Sequence, residues 1–151
     1  MQITARADYA VRALAELAAR DGESATRNEL ADAQGIPPKF LEAILADLKK
    51  AGLVLALRGS TGGYLLARDA DGITIADAVR AVDGPLAAVR GVAPEAMRYA
   101  GVAEPLRDVW VAVRASMRVV LESTTIDDVV SGDLPVEVTS LLRGEGVYER
   151  R

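Results

Sequence analysis

Between Thr26 and Tyr64 the chain reads TRNELADAQGIPPKFLEAILADLKKAGLVLALRGSTGGY, and few folds accommodate that order of signals. Thr26 with Glu29 three residues on forms a capping box that starts a helix, predicted over Arg27 to Gln34. Gly35 ends it, where the turn needs positive φ. Ile36 plugs the turn. Pro37-Pro38 then opens a third helix, in a first turn whose N–H groups have no internal partner to lose. Leu41, Ile44, Leu45 and Leu48 recur at three- and four-residue spacing, so this helix buries one face and leaves the other outside. Lys49 and Lys50 suit the negative end of its dipole, and Gly52 ends it. Leu53 to Arg58 and Tyr64 to Ala67 are β-prone runs joined by Gly59-Ser60-Thr61-Gly62-Gly63, a two-stranded hairpin with a flexible tip. Helix, tight turn, helix and glycine-broken hairpin make a winged helix-turn-helix, a shape that places one helix in a DNA groove.

The flanks predict more helix. Ala7 to Arg20 carries Val11, Leu14, Leu17 and Ala18 on one face, with Arg12, Glu16 and Arg20 largely on the other; Asp21-Gly22 stops it. Thr74 caps a helix over Ile75 to Val82, with Asp77 at its third position, and Asp83-Gly84-Pro85 ends it. Residues 86–104 show no sustained period and read as a loop with one helical turn near Pro94 to Arg98. Pro105 to Glu122 is the longest helical pattern. Its wide stripe of Leu106, Val109, Trp110, Val113, Met117, Val120 and Leu121 is expected to be a dimer interface, Trp110 included. Thr125 caps a short helix reaching Val130. The tail from Ser131 is polar and punctuated, and mobility is expected beyond Arg143. The fold class expected is mainly α with a small β wing: a winged helix-turn-helix domain over 1–84, a sensor-like loop over 85–104, a dimerisation helix and short closing helix over 105–131, and a C-terminal tail over 132–151.

Composition removes whole classes of function. The 151 residues include no cysteine and no histidine. Disulfides, the usual zinc sites, thiolate-held iron–sulfur clusters and nucleophilic thiols are thereby excluded, as are Ser-His-Asp and Cys-His constellations. Catalysis is a poor fit, and no metal or other cofactor is expected. No run of about 18 uncharged apolar residues suggests a membrane span. The N-terminus intersperses charges among its apolar positions, unlike a signal peptide, so a cytoplasmic location is expected. The net charge of −4 divides unevenly: residues 1–68 carry +1 and residues 69–151 carry −5. The acidic excess sits on the C-terminal half and leaves the N-terminal half able to face phosphates.

Five segments together resemble the Rrf2 family of bacterial transcription regulators: ITARADYAVRALAELA, GIPPKFLEAILADLKKAGLV, RGSTGGYLLAR, ITIADAVRAVDGPL and PLRDVWVAVRASMRVVLESTTIDDVV. They span about residues 1–131, and the RGxxGGYxLAR wing directly after KxGLV is the most specific. The resemblance implies a homodimer in which each long helix crosses the other and each winged helix-turn-helix reads half of an inverted repeat. Many relatives hold an iron–sulfur cluster through three cysteines in the loop that is residues 86–104 here. This chain has none. Some also use an acidic residue on the first helix, matched by Asp8. One carboxylate cannot hold a cluster, and Asp8 is better read as a first-turn acid complementing the helix dipole.

The family's reading segment falls on Pro37, Lys39, Phe40, Glu42 and Ala43. Glu42 suits a cytosine amino group, Lys39 a guanine or a phosphate; Phe40 suits either a thymine methyl or a cap on the core. Arg58 matches the family's wing arginine, which reads minor-groove shape and potential. Gly59, Gly62 and Gly63 let the wing backbone approach phosphates, Ser60 and Thr61 can donate to them, and Tyr64 closes the motif. Arg6, Tyr9, Thr26 and Arg27, with Lys49 or Lys50, are the phosphate anchors; such contacts position without specifying. Arg90, Arg98, Tyr99, Arg107 and Trp110 surround the loop and suit a small anionic effector. The function expected is a homodimeric, sequence-specific DNA-binding regulator, a repressor in the first instance, without a cluster. The alternatives are a winged-helix module that regulates by binding a partner protein, and an enzyme or small-molecule carrier using the loop.

Overall fold

The computed structural model describes residues 2–60 and 62–149. Among the described residues, seven α-helices and one hairpin run in the order α1 (Ala5–Ala18), α2 (Arg27–Gln34), α3 (Pro38–Lys50), β1 (Val54–Leu57), β2 (Gly63–Leu66), α4 (Ile75–Asp83), α5 (Leu106–Ser123), α6 (Ile126–Ser131) and α7 (Val136–Leu142). Short 3₁₀ turns lie at Ala70–Gly72, Pro94–Ala96 and Gly101–Ala103. The architecture is mainly helical with a small β wing.

α1 is the hub, packing against α2, α3, α4, α6 and β2. Its buried face is small: Ala7, Ala10 and Ala13 lie beside Leu14 and Leu17, so neighbouring helices approach closely. It begins two residues earlier than the apolar spacing alone suggests, because Thr4 Oγ1 accepts the Ala7 N–H at 3.0 Å and caps it there. The core continues through Leu30, Ile36, Leu41, Ile44, Leu45 and Leu48 to Ile73 and Ile126. Ile126 opens α6, so the short closing helix belongs to the core of the N-terminal half.

Three capping boxes start α2, α4 and α6. At α2 the Thr26 N–H donates to Glu29 Oε2 at 2.7 Å, and the Glu29 N–H donates to Thr26 Oγ1 at 3.2 Å. Gly35 ends α2 at φ 61°, the left-handed geometry its position called for. β1 and β2 pair antiparallel with Leu57 opposite Gly63 and Val54 opposite Leu66. Ala25 joins them from outside: it exchanges two backbone hydrogen bonds with Tyr64, at 3.0 and 2.7 Å. A Cβ at Gly63 would lie 2.7 Å from the Ala25 carbonyl oxygen. Glycine at this position lets the wing close against the residue that precedes α2.

A second bridge, Thr74 opposite Thr125, closes the base of α5. Ile75 donates to the Thr124 carbonyl and Ile126 to the Ile73 carbonyl, both at 2.9 Å. Between α4 and α5 the loop makes a tight reversal, with Val89 and Val92 exchanging both hydrogen bonds across Arg90 and Gly91. Both central residues have positive φ, 52° and 76°, the geometry of a type I′ turn. Buried Leu86, Pro94 and Met97 anchor the loop. The stretch from Ser131, expected to be a punctuated tail, instead contains α7 after Pro135. No helix among the described residues is long and apolar enough to cross a membrane.

Two predictions follow from these contacts. Gly63→Ala is expected to lower the unfolding free energy by about 1–3 kcal/mol, as forced overpacking does, whereas Gly72→Ala, with open space around its Cβ, shifts it by about 0.5 kcal/mol or less; urea unfolding of both variants decides, and equal midpoints would refute the close-approach argument. The carboxyls of Glu29 and Asp128 are held below the usual range, first by the backbone N–H of their cap threonines and then by the threonine hydroxyls. The stability they add is therefore present above the ordinary carboxylate values and lost as pH falls through the lowered folded ones. Glu29→Gln with Asp128→Asn is expected to flatten the pH dependence of the thermal midpoint below about pH 4, and parallel curves would contradict the assignment.

Candidate nucleic-acid interface

α3 divides into two faces. Leu41, Ile44, Leu45 and Leu48 are each 0% exposed, while Pro37, Lys39, Phe40, Glu42 and Ala43 all stand in solvent. Phe40 is 57% exposed, so its ring does not cap the core and is free to meet a base methyl. Lys39 and Lys50 are eleven residues apart, three helical turns, on nearly the same side and separated by about 16 Å along the axis. Cations thus stand at both ends of one exposed ridge.

Ion pairing sharpens the pattern. Most arginines of the N-terminal half are engaged: Arg6 with Asp47, Arg12 with Asp8 at 3.1 Å, Arg20 with Glu16 at 3.3 Å and Arg27 with Glu42 at 2.8 Å. The side chains of Lys39, Lys49, Lys50 and Arg58 have no ion-pair or hydrogen-bond partner among the described residues. All four are exposed. The uncompensated positive charge of this half lies on α3 and the wing.

In the wing, Arg58 leads into a turn closed by the Gly62 N–H on the Gly59 carbonyl at 3.0 Å. A Cβ at Gly62 would meet the Leu57 and Gly59 carbonyl oxygens at 2.6 and 2.8 Å. Gly62 is therefore required by the hairpin's own backbone and Gly63 by that of Ala25, whereas Gly59, at φ 106° with open space around it, faces outward. Ser60 is exposed; Thr61 lies outside the described residues. Tyr64 is half-buried against the core and serves as a strut through its bonds to Ala25.

Several expected phosphate anchors have internal partners. Arg6 reaches across to Asp47 of α3. The Thr26 hydroxyl is taken by Glu29. Arg27, the first residue of α2, binds the Glu42 carboxylate of α3, so that oxygen is not a free acceptor for cytosine as it stands. Tyr9 is half-buried, with the Arg12 guanidinium 5.5 Å from its ring centroid. Asp8 pairs with Arg12 one turn on.

The loop and α5 form two further features. Arg98, Tyr99 and Arg107 come together at a cleft of about 460 Å³ with Glu95, Met97 and Glu104; Arg90 sits on the type I′ turn, and Trp110 does not line this cleft. Arg107 Nε donates to the Glu95 carbonyl at 3.1 Å, and Arg114 binds the Glu95 carboxylate. A hydrogen bond from its own backbone, and then the Arg114 contact, hold the Glu95 carboxyl below its usual range. None of the α5 residues is buried. Val109 is 51% exposed, and Leu106, Trp110, Val113, Met117, Val120 and Leu121 are half-covered. Met117, Val120 and Leu121 face Ala7 and Val11 of α1 and Val79 of α4 across an open apolar cleft of about 530 Å³.

A family model, Rrf2, described as an iron-dependent transcriptional regulator, matches residues 3–132. The Mycobacterium tuberculosis (strain H37Rv) protein Rv1287, which carries the name of an HTH-type transcriptional regulator, is 50% identical over 142 residues, 93% of this chain and 88% of its own. The Bacillus subtilis (strain 168) HTH-type transcriptional regulator CymR is 33% identical over 133 residues, 87% of this chain and 91% of that protein. The solved structure of B. subtilis CymR superimposes with a TM-score of 0.73 at 30% identity, covering 87% of this chain and 98% of that one. That of T. potens IscR gives 0.70 at 29% identity, with 88% of each covered. The iron in the family's description finds no fit here. The chain has neither cysteine nor histidine, and no three carboxylates gather among the described residues.

The charge pattern predicts that Lys39→Ala and Lys50→Ala each reduce the slope of log affinity against log salt by about 0.9, measured by fluorescence anisotropy on duplex DNA. An unchanged slope for both would remove the α3 ridge from the interface.

Proposed function

This chain belongs to the Rrf2 family of transcriptional regulators, and from that premise we propose that it is a homodimeric repressor reading an inverted-repeat operator. The observation that carries this reading is the set of unpaired cations, Lys39, Lys49, Lys50 and Arg58, on a winged helix-turn-helix whose other arginines are largely neutralised. The N-terminal turn of α3 presents Lys39, Phe40, Glu42 and Ala43 to base edges in the major groove. Arg58 enters the neighbouring minor groove, and Gly59 and Ser60 bring the wing tip to the backbone. The lysines anchor phosphates. Arg27 parts from Glu42, or carries it along, as the helix seats.

The second copy lies on α5, whose apolar stripe its own chain covers only in part. Two copies related by a two-fold axis place two α3 helices on successive major grooves, so the operator mirrors the protein's symmetry. Repression is steric: a dimer on the promoter excludes other proteins. Release comes from a small ligand at the cleft of Arg98, Tyr99 and Arg107. Its occupancy shifts the loop against α5 and so changes the angle between the two reading heads.

The test is enrichment of host genomic fragments on the purified protein at about 0.15 M salt, where weak non-specific binding is reduced. The expected result is a short inverted repeat enriched by the native chain and lost by an Arg58→Ala, Glu42→Ala double variant. Enrichment of bulk DNA without a motif, by both proteins alike, would overturn the operator reading.

A further inference from the structure

Where α4 ends and α5 passes it lies a separate cleft of about 340 Å³, lined by Arg80, Gly84, Pro85, Leu86 and Arg114. It shares no residue with the cleft of Arg98, Tyr99 and Arg107. A guanidinium carries five N–H donors. Here Arg80 gives one through Nη2 to Glu122, and Arg114 gives one through Nη1 to Glu95. The Arg114 Nε–H is enclosed and has no acceptor, although buried donors are ordinarily paired. The N–H of Leu86, a residue only 5% exposed, also finds no acceptor among the described residues.

Positive charge is in excess on the same side. Glu122 Oε1 accepts from both Arg80 and Arg118 Nε, and those contacts, Arg80 first, hold its carboxyl below the usual range. Arg80, Arg114 and Arg118 thus meet only Glu95 and Glu122. Asp77, one turn before Arg80, is paired with Arg68 at 3.7 Å. The C-terminal end of α4 also borders the cleft at Gly84, and its dipole opposes an anion, so attraction has to come from the two guanidiniums together.

We propose that this cleft binds a small oxyanion, a carboxylate or a phosphate group, between Arg80 and Arg114. Forked guanidiniums from two packed helices suit the spread oxygens of such a group. The oxyanion takes the Arg114 Nε–H and the Leu86 N–H, draws on Arg80, and leaves Glu122 to Arg118. Arg80 ties α4 to α5, and Arg114 ties α5 to the loop through Glu95, so occupancy adds a bond where the three meet. The site stands independently of the DNA reading.

The test titrates the full chain with sodium phosphate and, separately, sodium succinate, each against sodium chloride at matched ionic strength. The sole tryptophan, Trp110, stands one turn before Arg114 on α5 and reports by its fluorescence. A saturable response that chloride does not reproduce is expected, and the tighter of the two probes identifies the anion's chemistry. Arg80→Gln and Arg114→Gln are each expected to weaken it at least about ten-fold, the loss of a charged hydrogen bond. Arg143→Gln, at an exposed position outside the cleft, leaves it unchanged. Glu122→Gln removes the carboxylate that competes for Arg80 and is expected to tighten binding about two- to five-fold, a direction that damage to the fold does not produce. A response matched by chloride overturns the site. So does one that is lost in Arg98→Gln and kept in both Arg80→Gln and Arg114→Gln.

Discussion

One face of α3 governs the rest of the molecule. Leu41, Ile44, Leu45 and Leu48 are fully enclosed, and each contributes about 1.5–3 kcal/mol by leaving water. That burial fixes the rotation of the helix about its own axis. A slip of one residue would turn the apolar row by about 100° and expose it. Because the inner face admits one orientation, the outer one does too, and Lys39, Phe40, Glu42 and Ala43 are aimed by side chains they never touch. The turn at Gly35 and Ile36 sets where this helix begins, and the bridge from Ala25 to Tyr64 sets where the wing stands beside it.

The electrostatics complete the aim by subtraction. An acidic chain meets a polyanion poorly unless its acids are kept from the contact surface. Here Asp8, Glu16, Asp47 and Glu42 each neutralise an arginine close by, and the remaining cations lie on α3 and the wing. Exposed pairs of this kind add little stability, about 0–1 kcal/mol each. Their effect lies in the charge they leave behind, which is positive on the outer face of α3 and on the wing.

Much of this was legible in the sequence, because the signals were local. The α2 boundaries follow from one threonine, one glutamate and one glycine, and the α3 face from four side chains at helical spacing. α5 runs Leu106–Ser123, one residue along from the stretch its stripe suggested. What stayed hidden depends on partners distant in the chain. Nothing in the spacing pairs Arg6 with Asp47 or Arg27 with Glu42, so two expected nucleic-acid contacts turned out to have internal neighbours. Gly62 and Gly63 suggested an approach to phosphate, whereas the backbones of Leu57, Gly59 and Ala25 require them. α7 escaped notice because its seven residues hold too few repeats to show a period, and Gly132 and Pro135 punctuate its approach. The loop cleft gathered Arg98, Tyr99 and Arg107 but not Arg90 or Trp110: the type I′ turn carries Arg90 to its tip, and Trp110 lies a further turn along α5.

The Thr74–Thr125 bridge has a further consequence. The chain leaves the N-terminal half after α4 and returns beside the start of the same helix, where two backbone hydrogen bonds secure it, with the Arg80–Glu122 pair further along α4. Departure and return are thus set by the two ends of a nine-residue rod about 13 Å long, itself packed on α1 and α3. Everything between, loop and long helix together, behaves as a cassette between fixed posts. Because both ends are fixed, a substitution within that span need not displace α3 or the wing beneath it.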